Sequence, residues 1–289
     1  MHVPRAHATR HESAEGSWEL VSGAPDPRLR EYVLGSYMGY SERTPGPMRR
    51  RELPSPQVVL IIDFGPALRV FDSRDPSRSA RHASGFVAGL DDAFSLTETP
   101  GAMSGVQVNF TPVGARLFFG LPMRHLARRV VGLDEVFGAE GPLLTEQLHD
   151  APGWEARFVL LDRLLLRRIL EARAISDCVT WAWQRLQASG GVVEIGALAD
   201  ELGYSQKHLI SRFNEELGLP PKLLARLVRF DRVIQRLKAG SPESWASIAY
   251  AHGYYDQAHL IRDFRQFAGS PPGEFLRRQL PGMGGTRGD

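Results

Sequence analysis

Two stretches near the C-terminus repeat one pattern of apolar and polar positions. Leu198 to Pro221 reads LADELGYSQKHLISRFNEELGLPP, and Ile248 to Pro272 reads IAYAHGYYDQAHLIRDFRQFAGSPP. Gly203-Tyr204 answers Gly253-Tyr254 at an offset of 50, while His208-Leu209, Phe213, Gly218 and Pro220-Pro221 answer His259-Leu260, Phe264, Gly269 and Pro271-Pro272 at 51. One extra residue therefore sits in the second turn. Each copy predicts a short apolar helix, a break at Gly, and a second helix that stops at Gly before a Pro pair, which is the grammar of a helix-turn-helix. In the first copy Ile195, Leu198, Ala199 and Leu202 recur at helical spacing, Gly203 supplies the positive φ that ends the helix, and Ser205 caps the next one. Ile248, Ala249, Gly253 and Asp256 take the same places in the second copy.

The i,i+4 pairs Leu209 with Phe213, and Leu260 with Phe264, must face a core. At 100° per residue the outward positions are then Lys207, Ile210, Ser211 and Asn214 in one helix, and Ala258, Ile261, Arg262 and Arg265 in the other, with Gln257 at the helix start. A helix whose N-terminal half presents Lys, Ser, Gln and Arg suits a DNA major groove, where Arg and Lys pair with guanine and Gln with adenine. One such string alone is most often a solvated face. Two copies in register favour a pair of reading heads.

Between the copies, Leu223, Leu224, Leu227, Phe230, Ile234 and Leu237 mark the core side of a linking helix, while Lys222, Arg226, Arg229, Arg232, Arg236 and Lys238 stand against Asp231. A solvated linker and a helix that lends arginines to phosphates are compatible readings; Arg226, Arg229, Arg232 and Arg265 are the candidate phosphate contacts. From about residue 175 to 280 the chain resembles the DNA-binding domain of AraC/XylS-type transcription regulators, most specifically in GYYDQAHLIRDFRQFAGSPPGEF from Gly253 to Phe275. The resemblance implies base-reading positions at Lys207, Ile210, Ser211, Gln257, Ala258, Ile261 and Arg262. Ile210, Ala258 and Ile261 depart from polar expectation, since they can touch a thymine methyl but make no hydrogen bond to a base.

From Trp18 to about Pro122 the period changes. Val58 to Phe64, Leu68 to Phe71, Gly85 to Gly89 and Val106 to Phe110 are short β-branched or aromatic runs between Pro, Gly, Asp and Ser clusters, which predict a mostly β unit, a barrel or rolled sandwich. Asp26 to Tyr37 fits a short helix or a strand, and PMRHLARRV after Leu121 is helix-like. SPQVVLIIDF with the later NFTPVGARLFFGLP also resembles, more loosely, the sensor-like domain that precedes this type of DNA-binding domain. Such a unit holds a ligand pocket or is filled by its own side chains, and both readings stand. Trp154 to Arg173 carries a wide apolar stripe through Phe158, Leu161, Leu164, Leu165 and Ile169, which packs on the β unit or on a second subunit; the lack of a sustained heptad leans toward the first.

Residues 1–16 and 281–289 are disordered by composition, and His2, His7 and His11 in the arm lack the supporting ligands of a metal site. Cys178 is the only cysteine, in an apolar helical stretch that predicts a buried structural thiol and excludes an internal disulfide. A net charge of +2, with 43% hydrophobic and 24% charged residues, fits a globular protein whose basic character is local. No apolar run has the length of a membrane span or signal core, so the cytoplasm is expected.

The whole reading is an α+β chain: a β barrel-like sensor or association domain over residues 17–150, a helical connector over 151–174, and a DNA-binding domain over 175–280. It predicts a sequence-specific regulator that works on double-stranded DNA, with a possible small-molecule effector, a possible homodimer and the transcription machinery as partners, and with no cofactor, metal or catalytic residue. The rival reading is an enzyme or small-molecule-binding protein whose helix-turn-helix part is a docking module.

Overall fold

The apolar run at 58–63 becomes a strand with both faces covered, and the N-terminal half is layered around it. The structure, a computed structural model, describes residues 4–13, 16–72, 74–75, 77–240, 243–278 and 286–287. Its larger sheet comprises β1 (Ala6–Ser13), β2 (Gly16–Gly23), β3 (Tyr37–Arg43), β5 (Val58–Asp63), β8 (Phe86–Ala88), β10 (Ala102–Phe110) and β11 (Val130–Gly132). They pair antiparallel in the order β1-β2-β3-β10-β5-β8-β11. The smaller sheet comprises β4 (Met48–Glu52), β6 (Arg69–Phe71), β7 (Ser79–Arg81), β9 (Ser95–Thr99) and β12 (Thr286–Arg287), in the order β12-β4-β9-β6-β7.

Among the described residues no strand pairing joins the two sheets, so the mostly β unit matches the barrel or rolled-sandwich expectation in its two layers but is not a closed barrel. The period-2 alternation of β5 makes the layering explicit. Val58, Leu60 and Ile62 point into the main core, whereas Val59, Ile61 and Asp63 face the space between the sheets. On the core side lie α1 (Pro112–Phe119), α2 (Leu133–Phe137), α3 (Glu140–Asp150) and α4 (Trp154–Leu170). Thr111 caps α1, its hydroxyl accepting from the Gly114 amide at 2.9 Å, with Pro112 in the first turn.

Helix α4 settles its own alternatives. Phe158, Leu161, Leu165 and Ile169 are buried, and the rings of Phe158 and Trp154 occupy the space that a Cβ on Gly23 or Gly39 would need. The stripe therefore packs on the β unit.

Several local expectations are corrected. Residues 6–13, assigned to a disordered arm, pair with β2 along their full length, from Ala6 with Gly23 to Ser13 with Gly16. The edge strand is polar because both of its faces are open, which removed the apolar period from the sequence. The helix expected after Leu121 is a single 3-10 turn at Met123–His125 followed by β11, and Arg128 between them has φ 58°, a left-handed conformation that ends a helix. Asp26 to Tyr37 is mainly a 3-10 turn at Pro27–Leu29 with one β-bridge at Val33. Of the tail at 281–289, Thr286–Arg287 pairs with β4 and the remainder lies outside the described residues, as does His2.

The C-terminal half is helical: α5 (Asp177–Ala188), α6 (Ile195–Glu201), α7 (Gln206–Leu217), α8 (Pro221–Lys238), α9 (Trp245–Ala251), α10 (Gln257–Ala268) and α11 (Pro272–Arg277). Cys178, on α5, is a free thiol, only half-buried against the core. Helix α8 runs through the middle and belongs to both motifs. Its Leu224 and Leu227 are buried, it packs against α7 of the first motif, and its Phe230 meets Phe264 and Phe267 of the second at ring separations of 5.0 and 5.1 Å.

Candidate nucleic-acid interface

The two repeat units fold alike down to their caps. Gly203 and Gly253 have φ of 67° and 72°, and the following tyrosine amides, Tyr204 and Tyr254, return to the carbonyls of Ala199 at 2.9 Å and Ala249 at 3.0 Å. Ser205 Oγ accepts from the His208 amide at 3.2 Å, and Asp256 Oδ1 from the His259 amide at 2.6 Å. Leu209, Phe213, Leu260 and Phe264 are fully buried, as the i,i+4 pairing requires. Helices α7 and α10 end at Gly218 and Gly269, with φ of 88° and 70°.

Burial of those four residues fixes what faces out. Lys207, Ile210 and Ser211 are exposed on α7; Gln257, Ala258, Arg262 and Arg265 are exposed on α10, with Ile261 half-buried between them. Each motif thus presents the N-terminal half of its second helix to solvent. The extra residue of the second turn is Tyr255, because Tyr254 answers Tyr204 and Asp256 answers Ser205. It is 92% exposed, directly before the Asp256 cap, and Tyr250 on α9 is 87% exposed. Both were missed in the sequence. The change of offset from 50 to 51 was the signal for Tyr255, and Tyr250 carried none.

The basic side of α8 does not behave as one class. Arg226 binds Asp263 Oδ1 through Nη2 at 2.6 Å, donates to Gln266 Oε1 at 2.6 Å and covers the Phe267 ring. Arg229 donates to the Gly191 carbonyl at 2.6 Å and lies over Tyr254. These two arginines, expected to meet phosphates, are engaged within the domain, because α8 is enclosed by both motifs and they flank its buried face. Arg232, exposed beside Gly190, and Arg265 remain at the surface. Burial, with Arg232 and Arg236 nearby, lowers the pKa of His252. Burial and then the Asp263 carboxylate push that of Tyr254 up.

The C-terminal ends of both second helices rest on the N-terminal half. Arg51 of β4 donates from Nη1 to the Ala268 carbonyl at 2.8 Å, its guanidinium lies over Phe94, and Gly269 fits against both. Gly218 packs against Met123 and Ala127, and Arg124 pairs with Glu215.

Next to Arg51, Arg50 points the other way, into a cavity of about 380 Å³ between the sheets. Val59, Ile61, Leu68, Val70, Phe86 and Met103 give it apolar walls. Tyr40, Gly105 and Asp63 form one cross-strand row over β3, β10 and β5. A Cβ on Gly105 would lie 2.6 Å from the Tyr40 hydroxyl, so the glycine lets the tyrosine reach across β10 and donate to Asp63 Oδ1 at 2.7 Å. Burial pushes the Asp63 carboxyl up to about 6, against the lowering effect of that hydrogen bond. Arg50 pairs with Glu42, and both are buried. Among the described residues no three His, Cys, Asp or Glu side chains are grouped to hold a metal ion, and no helix is long and apolar enough to cross a membrane.

Residues 198–278 match a family described as a helix-turn-helix domain, and residues 22–132 match a domain of unknown function. No protein of curated function matches the chain. ToxT from Vibrio cholerae O395 superposes with a TM-score of 0.45 at 13% identity, over 80% of this chain and 96% of that one. The C-terminal domain of AraT, a response regulator from Geobacillus stearothermophilus, gives 0.35 at 22% identity, over 38% and 93%. An oxalate decarboxylase from Lactobacillus farciminis gives 0.25 at 13%, over 54% and 46%. The likenesses are loose at these TM-scores, and none carries the reading that follows.

Proposed function

We propose that the chain is a DNA-binding transcription regulator of the AraC/XylS type, in which the helix-turn-helix domain over residues 198–278 sends α7 and α10 into successive major-groove segments to read an asymmetric site together. The observation that supports this is the matched pair of caps and buried faces, which leaves the N-terminal half of each second helix exposed. In this reading Arg262 and Gln257 specify bases by hydrogen bonds, Lys207 and Ser211 add polar contacts from the first motif, and Ile210, Ala258 and Ile261 contribute apolar contacts to thymine methyls. Arg232, Arg265 and Tyr255 hold the backbone and carry no sequence information themselves. Residues 17–150 sense a small molecule in the cavity between the sheets, and residues 175–280 read DNA.

Selection from a random DNA pool at two salt concentrations tests the reading, with two enriched blocks about one helical turn, or ~34 Å, apart as the expected result. Arg262→Ala then costs roughly 1–3 kcal/mol on the selected site and relaxes one base pair. An equal loss on every sequence would remove Arg262 from the base-reading set.

A further inference from the structure

We propose that the cavity between the two sheets takes a small organic cation, an amine on an apolar body, whose ammonium group donates to Asp63 Oδ2. The inference rests on the reading of the N-terminal half as a sensor and adds the class of ligand.

Asp63 is 4% exposed and faces the cavity. One of its oxygens accepts from Tyr40; the other, Oδ2, has no hydrogen-bond partner. A buried carboxylate without a cation is costly, and proteins ordinarily supply one or replace the side chain. Among the described residues no basic side chain pairs with Asp63, and burial and the Tyr40 hydroxyl shift its titration. Arg50, the basic residue lining the cavity, is committed to Glu42 through Nη2. The other lining carboxyls have cations acting on them, Glu42 through its ion pair with Arg50 and Glu52 through Arg50 and Lys238, so Asp63 is the lining carboxyl left without a basic partner.

The surroundings suit the rest of such a ligand. Apolar side chains on both sheets supply the walls, and Leu20 and Met38, 42% and 38% exposed, mark the open side. At about 380 Å³ the space is that of a small-molecule site. Two further polar atoms without partners, Arg50 Nε and Thr99 Oγ1, lie on cavity-lining residues and can meet a hydroxyl or ether on the same ligand. An anionic ligand fits less well, because it would compete with Glu42 for Arg50 and leave Asp63 uncompensated.

Calorimetric titration of the full-length chain with phenethylamine, 2-phenylethanol and 3-phenylpropanoate tests the proposal. At pH 8 the amine binds saturably and at least about tenfold more tightly than the alcohol, which lacks the charge. At pH 5 only about one in eleven carboxyls with a pKa of about 6 is ionised, so amine affinity falls about tenfold while alcohol affinity does not. Tyr40, Glu42, Arg50 and Glu52 are the other titratable groups lining the cavity. Asp63→Asn must therefore abolish both the preference and its pH dependence, with the variant's melting transition confirming that it is folded.

Preference for the carboxylate would overturn the proposal in favour of Arg50 as anchor. So would absence of amine binding up to millimolar concentration, or equal binding to Asp63→Asn. DNA affinity measured with and without the amine separates the two readings: bound amine with unchanged DNA affinity leaves the cation site standing and removes the sensor.

Discussion

Asp63→Asn makes the ligand-free protein more stable at pH 8. The carboxyl is raised from its ordinary 3.8 to about 6. Between these values the folded protein keeps a proton that the unfolded chain has released, so stability falls as pH rises through this window and is flat above it. About 2 pKa units at 1.36 kcal/mol each give a penalty of about 3 kcal/mol for holding the carboxylate at pH 8. Asparagine is nearly isosteric and its carbonyl still accepts from Tyr40, so the variant escapes the penalty without losing the 2.7 Å hydrogen bond. Urea unfolding of both proteins from pH 4 to pH 8 isolates the contribution as a difference, because all other titrating groups are shared. The expected difference is near zero at pH 4 and grows to about 3 kcal/mol by pH 8 in favour of the variant. Parallel stability curves, or a less stable variant at pH 8, would refute the account of Asp63 as an uncompensated buried charge.

Other substitutions separate roles that sequence alone merges. Arg226→Ala leaves Asp263, 1% exposed, without its ion pair, and lowers the stability of the C-terminal half by about 3–5 kcal/mol in thermal unfolding; a variant that keeps its stability and instead loses salt dependence in DNA binding would restore Arg226 to the phosphate contacts. Asp256→Ala removes the cap of α10 and costs about 1 kcal/mol in the same assay. Gly269→Ala and Gly203→Ala share nearly the same φ, 70° and 67°, but a Cβ meets Phe94 and Arg51 only in the first. Both carry a backbone cost of roughly 1 kcal/mol, and only Gly269→Ala loosens the halves, as faster proteolysis between them would report; equal proteolysis would mean that the contact at Gly269 holds nothing.

The two motifs were legible because local rules dictate them. A Gly with positive φ, a Ser or Asp cap and an apolar i,i+4 pair each need only neighbours in sequence, and a repeat presents each signal twice. Apolar runs likewise located β5, β6, β8 and part of β10. Strands β1 and β4 were illegible, since polar edge and cavity-facing positions erase the period that marks a half-buried strand. The helix expected at 122–130 was lost to one left-handed residue, Arg128, which no local pattern announced. Arginines on α8 were assigned by charge, whereas their roles depend on the Asp263 carboxylate that the second motif brings to Arg226 and the Gly191 carbonyl that the turn between α5 and α6 brings to Arg229. The cavity polar groups were missed for a similar reason. Tyr40, Gly105 and Asp63 meet through pairing of three strands distant in sequence, and a lone Asp at the end of an apolar run gives no hint of its partners.

Gly218 and Gly269 do two jobs at once, ending the second helix of each motif and seating it on the N-terminal half. This makes the chain a poor source of interchangeable parts. A chimaera that joined this C-terminal half to another N-terminal half would inherit two glycines shaped for surfaces it no longer had. A foreign C-terminal half with side chains at those positions would be pushed off the Met123 turn and the Arg51–Phe94 platform. The unit to exchange intact is therefore the pair of halves, and a change confined to the cavity is one made from within, strand by strand, with the outward face of β4 left as it is.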